Sequence, residues 1–218
     1  MSSTEEAIQL YTDRSKSYLR LVNAVAYPQG IRAYFQQSSL LRSEDRILDA
    51  GCGTGIATIA LRKAMLNRQL RPGPIKCFDI TPRMLAILQQ QMKIAAIEGV
   101  EAVQADVLHL ETLPGNWKDF DLVISAAMME YLPRNSLVDA LSGLRLRLKD
   151  SGSIVLFITR KNWLMNLLIG NWWKANCYRK SELEEYFRRA GYSRITFGSF
   201  PFPYKHLSLW GNIVEATK

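Results

Sequence analysis

The chain has 218 residues, 48% of them hydrophobic and 22% charged, so one domain with a large core is expected without help from metals or disulfides. Its three cysteines, Cys52, Cys77 and Cys177, are widely spaced and form no CxxC pair. This spacing argues against a disulfide framework or a zinc site and suits a reducing cytoplasm. No apolar run reaches the roughly 18–20 residues that span a bilayer, and the polar, acidic start is not typical of a signal peptide.

The net charge of +8 is unevenly distributed along the chain. Residues 151–218 carry ten basic and four acidic side chains, so most of the excess positive charge lies in the last third. A basic face of this kind is compatible with anionic lipid, nucleic acid or an acidic small molecule as partner, and equally with a solvated surface.

Helix and strand patterns follow one another along the chain. Two helical segments, 4–25 and 29–38, are predicted before the first strand, with Pro28 and Gly30 separating them. Further helices are predicted at 56–67, at 82–99 after an N-cap at Thr81, at 135–149, and at 180–191 with an N-cap at Ser181 and Glu184 three residues later. Strands are predicted at 47–50, 74–80, 100–106, 120–127, 152–160, 192–200 and 207–217.

This alternation predicts the fold class. Strands that alternate with helices over short connections favour an α/β, doubly wound arrangement, in which helices cover both faces of a parallel sheet. The chain shows no internal repeat, low-complexity tract or linker. We therefore expect a single domain.

The segment RILDAGCGTG, residues 46–55, carries the strongest motif. A buried strand ends at an acid, Asp49, and glycines follow at Gly51, Gly53 and Gly55. Glycines at the end of a first strand allow backbone angles closed to other residues and let a ligand approach without a Cβ in the way. A dinucleotide fingerprint fails because Ile56 stands where its last glycine would be, and no Gly-Lys-Ser/Thr follows as in a P-loop.

The motif ILDAGCGTG resembles the first motif of the class I S-adenosylmethionine-dependent methyltransferases, and the resemblance extends over residues 43–160. It implies a Rossmann-like, seven-stranded, mostly parallel sheet with an antiparallel last strand. It also implies a domain layout of an N-terminal helical lid at 1–42, a cofactor-binding core at 43–160, an aromatic and basic insertion at 161–180, and a C-terminal helix and strand pair at 181–218. The implied cofactor is S-adenosylmethionine, with S-adenosylhomocysteine as product and no metal.

The resemblance assigns roles to acids at three successive strand ends. Asp49 would lie near the amino group of the cofactor, Asp79 would accept both ribose hydroxyls, and Asp106 would meet the adenine amine. Asp79 as a helix-capping acid, Asp106 as a turn residue and Met84 as a core residue remain open alternatives. The residues expected to bind the cofactor are Tyr18, Asp49, Gly51, Cys52, Gly53, Gly55, Asp79, Ile80, Met84, Asp106, Val107 and Ser125.

The sequence evidence for catalytic residues is weaker than that for cofactor-binding residues, because methyl transfer depends chiefly on positioning and only some acceptors need a base. His206, in the last connection, is a candidate base, although a loop histidine is commonly just exposed or capping. Glu130 and Tyr131 follow the fourth strand, where acceptor-facing side chains occur in the family, and packing is their alternative role.

The acceptor is expected to be a small lipophilic molecule such as a quinone, a lipid head group or a secondary metabolite. Nucleic acid is disfavoured because the fourth strand ends in SAAM, without the Asn/Asp-Pro-Pro-aromatic motif or a nearby cysteine. Segment 160–180, which contains Trp163, Trp172 and Trp173, suits an anionic membrane surface, a pocket wall, or a packed helix or dimer contact. The expected protein is thus a cytoplasmic methyltransferase, with peripheral membrane association an option; a non-catalytic S-adenosylmethionine-binding subunit and an RNA methyltransferase are the alternatives.

Overall fold

The computed structural model describes residues 22–161 and 175–218. Seven strands form one sheet: β1 (Ile47–Ala50), β2 (Ile75–Asp79), β3 (Val100–Gln104), β4 (Phe120–Ala126), β5 (Leu148–Thr159), β6 (Ser193–Gly198) and β7 (Gly211–Thr217). The helices whose bounds are described are α1 (Tyr27–Gln37), α2 (Ile56–Asn67), α3 (Pro82–Ile94), α4 (Leu137–Arg147) and α5 (Lys180–Arg189). Short 3-10 turns occur at Leu110–Thr112, Met129–Tyr131, Arg134–Ser136 and Tyr204–Leu209.

The sheet confirms the predicted fold class. Its strand order is β3-β2-β1-β4-β5-β7-β6, and the pairs among β1 to β5 are parallel. Strand β7 runs antiparallel to both β5 and β6. The order reverses between β1 and β4, and ligands of doubly wound sheets bind outside the carboxyl ends of the strands at such a point.

The core lies on both faces of the sheet. Successive residues of a strand point to opposite faces, so Leu48 belongs to one cluster of buried side chains while Ile47 belongs to the other. Helices α4 and α5 cover the first face, and α1, α2 and α3 cover the second. All four residues of β1 are buried, which is typical of a strand covered on both sides.

Several predicted helix boundaries were wrong, among them those of the helix at 135–149, which runs from Leu137 to Arg147 as α4. Pro28 and Gly30 do not interrupt a helix but lie inside α1, because a proline in the first turn lacks only an N–H that has no intrahelical partner there. Helix α3 ends at Ile94, before Gly99. Helix α5 begins at Lys180, and its first turn is closed by the Glu182 carboxylate, which accepts the Arg179 backbone N–H at 2.7 Å, so Ser181 is not the N-cap.

Parts of two predicted segments lie outside the described residues. They are residues 1–21, which are half of the N-terminal lid, and residues 162–174 of the aromatic and basic insertion, which include its three tryptophans. Among the helices of 22–161 and 175–218, none is long and apolar enough to cross a membrane.

Candidate functional site

A cavity lies at the carboxyl ends of β1, β2 and β4, with about 1070 Å³ of empty space that includes its opening to solvent. We refer to it as the first cavity. The structure brings together at its wall ten residues that the sequence singles out: Asp49, Gly51, Cys52, Gly53, Asp79, Ile80, Met84, Asp106, Val107 and Tyr131.

The glycine loop between β1 and α2 forms the floor of this cavity. Gly51, Gly53 and Gly55 all have positive φ, at +69°, +53° and +87°, a region that residues with a Cβ rarely adopt. A Cβ on Gly53 would meet no described atom within 4 Å, so its bare backbone borders open space. Gly55 does not line the cavity; it precedes α2, where a Cβ would overlap Leu88 Cδ1 at 2.2 Å.

Asp49 carries an unpaired carboxylate oxygen at the wall of the first cavity. The side chain is fully buried, and the Thr58 hydroxyl donates to Oδ2. The other oxygen, Oδ1, has no hydrogen-bond partner among the residues that the structure describes. Burial raises the pKa of Asp49 to about 7, because desolvation disfavours the charged form. A donor or a cation in the cavity would favour ionised Asp49.

Asp79 ties the glycine loop to the start of α3. Its Oδ2 accepts the Gly53 backbone N–H at 2.8 Å, and its Oδ1 accepts the Thr81 backbone N–H at 2.8 Å. Burial raises the pKa of this carboxyl, and the bonds to Thr81 and Gly53 oppose that rise. Each carboxylate oxygen can accept more than one bond, so this positioning role leaves room for a ligand.

Asp106 and Met84 combine the alternatives that the sequence left open. Asp106 Oδ1 accepts the Leu108 backbone N–H at 2.9 Å, which is an Asx turn, yet the half-buried side chain also lines the first cavity. Met84 is 3% exposed and belongs to the core, and it lines the cavity too. Both residues thus combine a structural role with a position at the wall of the first cavity.

Besides Gly55, the predicted residues Ser125, Glu130 and His206 do not line this cavity. Ser125 is fully buried, and its hydroxyl donates to the Ala50 carbonyl oxygen at 2.8 Å, so the side chain links β4 to β1 instead of facing a ligand. His206 is exposed, and its Nε2 lies 3.0 Å from the Val25 carbonyl oxygen, to which it can only donate. Tyr18 lies outside the described residues.

A second cavity adjoins the first, with about 760 Å³ of empty space that includes its opening to solvent. Tyr27, Ala127 and Tyr131 line both cavities. The apolar side chains at its wall are Val22, Val25, Phe157, Ile158, Phe200, Leu207 and Trp210, and the polar ones include Glu130, Thr159 and Asn212. Most of these residues come from β5, β7 and the turn between β6 and β7, and the sequence offered no signal that joins such distant segments.

Glu130 is the buried acid of the second cavity. It is 2% exposed, and its Oε1 accepts the Thr159 hydroxyl at 2.8 Å. Its Oε2 is buried without a hydrogen-bond partner in the described part of the chain. Burial raises the pKa of Glu130 to about 7. His206 does not line the second cavity, so Glu130 is better placed than His206 to meet a molecule there.

The comparisons with known proteins agree with the sheet order and the glycine loop. Residues 47–152 match the family model described as a methyltransferase domain, and the chain has the Rossmann-like fold of the class I methyltransferases.

One curated relative is similar to this chain over most of the chain's length. A demethylmenaquinone methyltransferase of Staphylococcus aureus (strain MRSA252) is 28% identical over 160 residues, which are 72% of this chain and 62% of the relative. The chain thus aligns with less than two thirds of the length of that relative.

Solved structures show the same fold. Magnesium protoporphyrin IX methyltransferase from Synechocystis PCC 6803, crystallised with bound S-adenosylmethionine, has a TM-score of 0.70 and 16% identity, over 100% of this chain and 98% of that one. A phosphoethanolamine N-methyltransferase of Haemonchus contortus, crystallised with S-adenosylhomocysteine, has a TM-score of 0.64 and 14% identity, over 87% of this chain and 52% of that one.

Proposed function

We propose that the chain is an S-adenosylmethionine-dependent methyltransferase acting on a small, lipophilic acceptor. The observation that carries the proposal is the first cavity, which is lined by the open backbone of Gly53, by Asp49 with its unpaired Oδ1, and by Asp79, whose carboxylate bonds the Gly53 N–H. An adenosyl sulfonium with an ammonium group matches these features, because carboxylates pair with cations and hydroxyls while a bare backbone allows close approach.

Each acid has a distinct part in holding this cofactor. Asp49 would accept the ammonium group, which supplies the missing partner of its Oδ1. Asp79 would accept the ribose hydroxyls while it keeps the glycine loop in place. Asp106, Ile80 and Met84 would border the adenine. The bound cofactor would supply an activated methyl group, so the protein has mainly to orient the acceptor and exclude water.

The second cavity supports a lipophilic acceptor. It adjoins the first, and most of the side chains at its wall are apolar or aromatic, which suits a hydrophobic ligand body. The relatives include enzymes named for demethylmenaquinone and for magnesium protoporphyrin IX, both small-molecule acceptors.

Cofactor binding is tested by thermal unfolding with and without S-adenosylmethionine. A ligand at one hundred times its Kd stabilises the folded state by about 2.7 kcal/mol. We expect this ligand-induced stabilisation in the unsubstituted chain and not in Asp79→Ala. Because Asp79 also holds the Gly53 and Thr81 N–H groups, the comparison is made within each variant. Asp139→Asn, an exposed acid in α4, is the control. Undiminished stabilisation of Asp79→Ala would contradict the proposal.

Methyl transfer is tested with a radiolabelled methyl donor offered to membrane extract, soluble metabolites and RNA in parallel. We expect label in an organic-soluble small molecule. Label in RNA alone would support the nucleic-acid alternative, and ligand binding without any labelled product would support the non-catalytic one.

We propose in addition that an anionic membrane surface supplies the acceptor. Two large apolar side chains, Phe202 at 83% and Leu209 at 63% exposure, lie just before and at the end of the Tyr204–Leu209 turn. Leu207 of this turn and the following Trp210 line the second cavity. Exposed cations lie at Arg160, which donates to the Ser208 carbonyl oxygen of this turn, and at Lys161 and Lys205. Apolar side chains among cations suit the interface of an anionic bilayer.

Vesicle flotation tests this surface. Phe202→Ser with Leu209→Ser is expected to weaken association with vesicles that contain phosphatidylglycerol, because both apolar contacts are lost. The matched control is Ile94→Ser with Leu146→Ser, two exposed apolar side chains of α3 and α4. Equal flotation of the two double variants would contradict the membrane proposal and leave the methyltransferase proposal intact.

A further inference from the structure

The second cavity holds a carboxylate whose bonding is incomplete. Glu130 Oε1 accepts a hydrogen bond from the Thr159 hydroxyl. Its buried Oε2 has no hydrogen-bond partner within residues 22–161 and 175–218. A buried acceptor without a donor is costly. A ligand that brings an O–H or N–H group to this oxygen would remove that cost, and the cavity gives such a ligand room beside Glu130.

Two neutral titratable groups lie near this carboxylate, the Cys177 thiol and the Tyr178 hydroxyl. Burial and the charge of Glu130 raise the pKa values of both groups. Arg134 lies over the Tyr178 ring at 4.7 Å, and Lys161 is exposed. Among the described residues, neither cation forms an ion pair with Glu130. The carboxylate is therefore available to a donor on a ligand.

The wall of the cavity favours a neutral, planar ligand body. Phe157, Phe200 and Trp210 line it together with aliphatic side chains. The Phe157 and Phe200 rings lie 5.9 Å apart and are tilted by 36°. A neutral hydroxyl donates a hydrogen bond without bringing a second charge into these apolar surroundings, whereas burying a cation there carries a desolvation penalty.

We propose that the second cavity binds an aromatic hydroxyl compound as the methyl acceptor, with its O–H donating to Glu130, which takes the proton. The O–H bond breaks, its electron pair stays on the ligand oxygen, and the proton bonds to Oε2. Thr159 positions the carboxylate through its own hydroxyl. The inference rests on the proposed function, because it makes the second cavity the acceptor site of that enzyme.

The test compares the binding of three probes by calorimetry at pH 5.5 and pH 8. They are 1-naphthol, 1-methoxynaphthalene, which lacks the O–H group, and cationic 1-naphthylmethylamine. We expect the unsubstituted chain to prefer naphthol over the methoxy compound about ten-fold at pH 8, since hydrogen bonds to charged groups are strong. The preference should shrink at pH 5.5, where Glu130, with a pKa of about 7, is protonated.

Two variants and a control keep the test decisive. Glu130→Gln should remove the pH dependence of the preference. Thr159→Val removes a donor to Glu130, so the preference should develop at a higher pH. Glu111→Gln, at an exposed acid beside His109, should behave as the unsubstituted chain.

Each remaining outcome decides for or against one claim. Equal binding of naphthol and the methoxy compound, an unchanged pH profile in both variants, or tighter binding of the cationic probe would overturn the inference. S-adenosylhomocysteine binding is measured on the same samples. If the unsubstituted chain does not bind S-adenosylhomocysteine, the proposed function is refuted. If it binds S-adenosylhomocysteine but shows no preference for naphthol, only the acceptor inference is refuted.

Discussion

Asp49 and Glu130 are buried carboxylates of the same kind in two adjoining cavities. Each accepts one hydroxyl, from Thr58 and Thr159 respectively, and each has a second oxygen without a partner in the described residues. Desolvation raises both pKa values to about 7. Residues in this condition are typical of functional sites, because a purely structural acid is usually paired or solvated.

Replacing Asp49 by Asn tests its role toward a cation. The change removes the charge at nearly constant shape, so we expect S-adenosylmethionine to bind roughly ten-fold or more weakly, as for a charge-assisted hydrogen bond. An ammonium group favours ionised Asp49, so affinity for the unsubstituted chain should rise between about pH 5 and pH 8 as the carboxyl, with a pKa of about 7, loses its proton. Calorimetry should show this rise in the unsubstituted chain and a flat profile in Asp49→Asn.

Unchanged binding by Asp49→Asn would contradict this role of Asp49. If Asp49→Asn binds the ligand with unchanged affinity and pH profile, the ammonium does not meet this carboxylate. Asp139→Asn should retain both properties of the unsubstituted chain, since it lies on the exposed side of α4.

At the scale of elements, the three glycines of the glycine loop are needed for different reasons. Two of them leave no room for a Cβ because of protein packing, and the third leaves space on the cavity side. A Cβ on Gly51 would come within 2.3 Å of Met128 Cγ, and one on Gly55 within 2.2 Å of Leu88 Cδ1. A Cβ on Gly53 would meet nothing described within 4 Å. The first two positions are closed by packing against the protein itself, whereas the third is open on the cavity side.

We therefore expect Gly53→Ala to cost only the roughly 1–2 kcal/mol of a positive φ in the free energy of unfolding, while it blocks close approach of a ligand. Gly55→Ala should cost more, because strain and overlap with Leu88 add. Urea unfolding and S-adenosylhomocysteine binding, measured side by side, separate the two effects. Tight binding by Gly53→Ala would show that nothing approaches this part of the backbone.

The elements differ in how far the sequence could predict them. The strand 47–50 and the helix 56–67 agree with the structure, because a buried apolar run and a glycine before the helix are both local signals. The end of α3 and the start of α5 were predicted at the wrong residues. Each region contains more than one residue at which a helix can end or begin, and sequence patterns do not say which of them is used. The second cavity joins β5, β7 and the Tyr204–Leu209 turn, and no local pattern reports contacts between segments so far apart.

The candidate site follows the same division. The acids at the ends of β1 and β2 were predicted to lie together, because parallel strands bring their carboxyl ends to one edge of the sheet. The alternation of side chains along β4 turns the Ser125 hydroxyl toward the Ala50 carbonyl oxygen, a contact between strands far apart in sequence that no local pattern indicates. Thr58 and Thr159, which position the two buried acids, were missed since their partners are set by tertiary contacts.

At the scale of the whole molecule, the raised pKa values of Asp49 and Glu130 make the free energy of unfolding depend on pH. A group whose pKa is higher in the folded than in the unfolded state binds more protons when folded, so stability falls as pH rises between the two values. For Glu130 this window runs from its ordinary value of 4.5 to about 7. At higher pH its destabilising contribution is constant.

Glu130→Gln should therefore gain stability relative to the unsubstituted chain as pH rises. Between pH 5 and pH 8 we expect a relative gain of about 2 to 3 kcal/mol in the free energy of unfolding, measured by urea denaturation without ligand. Glu111→Gln serves as a surface control. A difference between the Glu130→Gln and unsubstituted chains that is independent of pH would show that Glu130 is ionised throughout the range.

The wall shared by the two cavities, formed by Tyr27, Ala127 and Tyr131, makes their occupancies interdependent. Whatever fills one compartment fixes side chains that the other compartment also uses, so neither affinity is a property of its own compartment alone. Thermodynamic linkage then requires the effect to be mutual: a nucleoside that improves capture of the hydrophobic partner is itself held more firmly by that partner, and by the same factor.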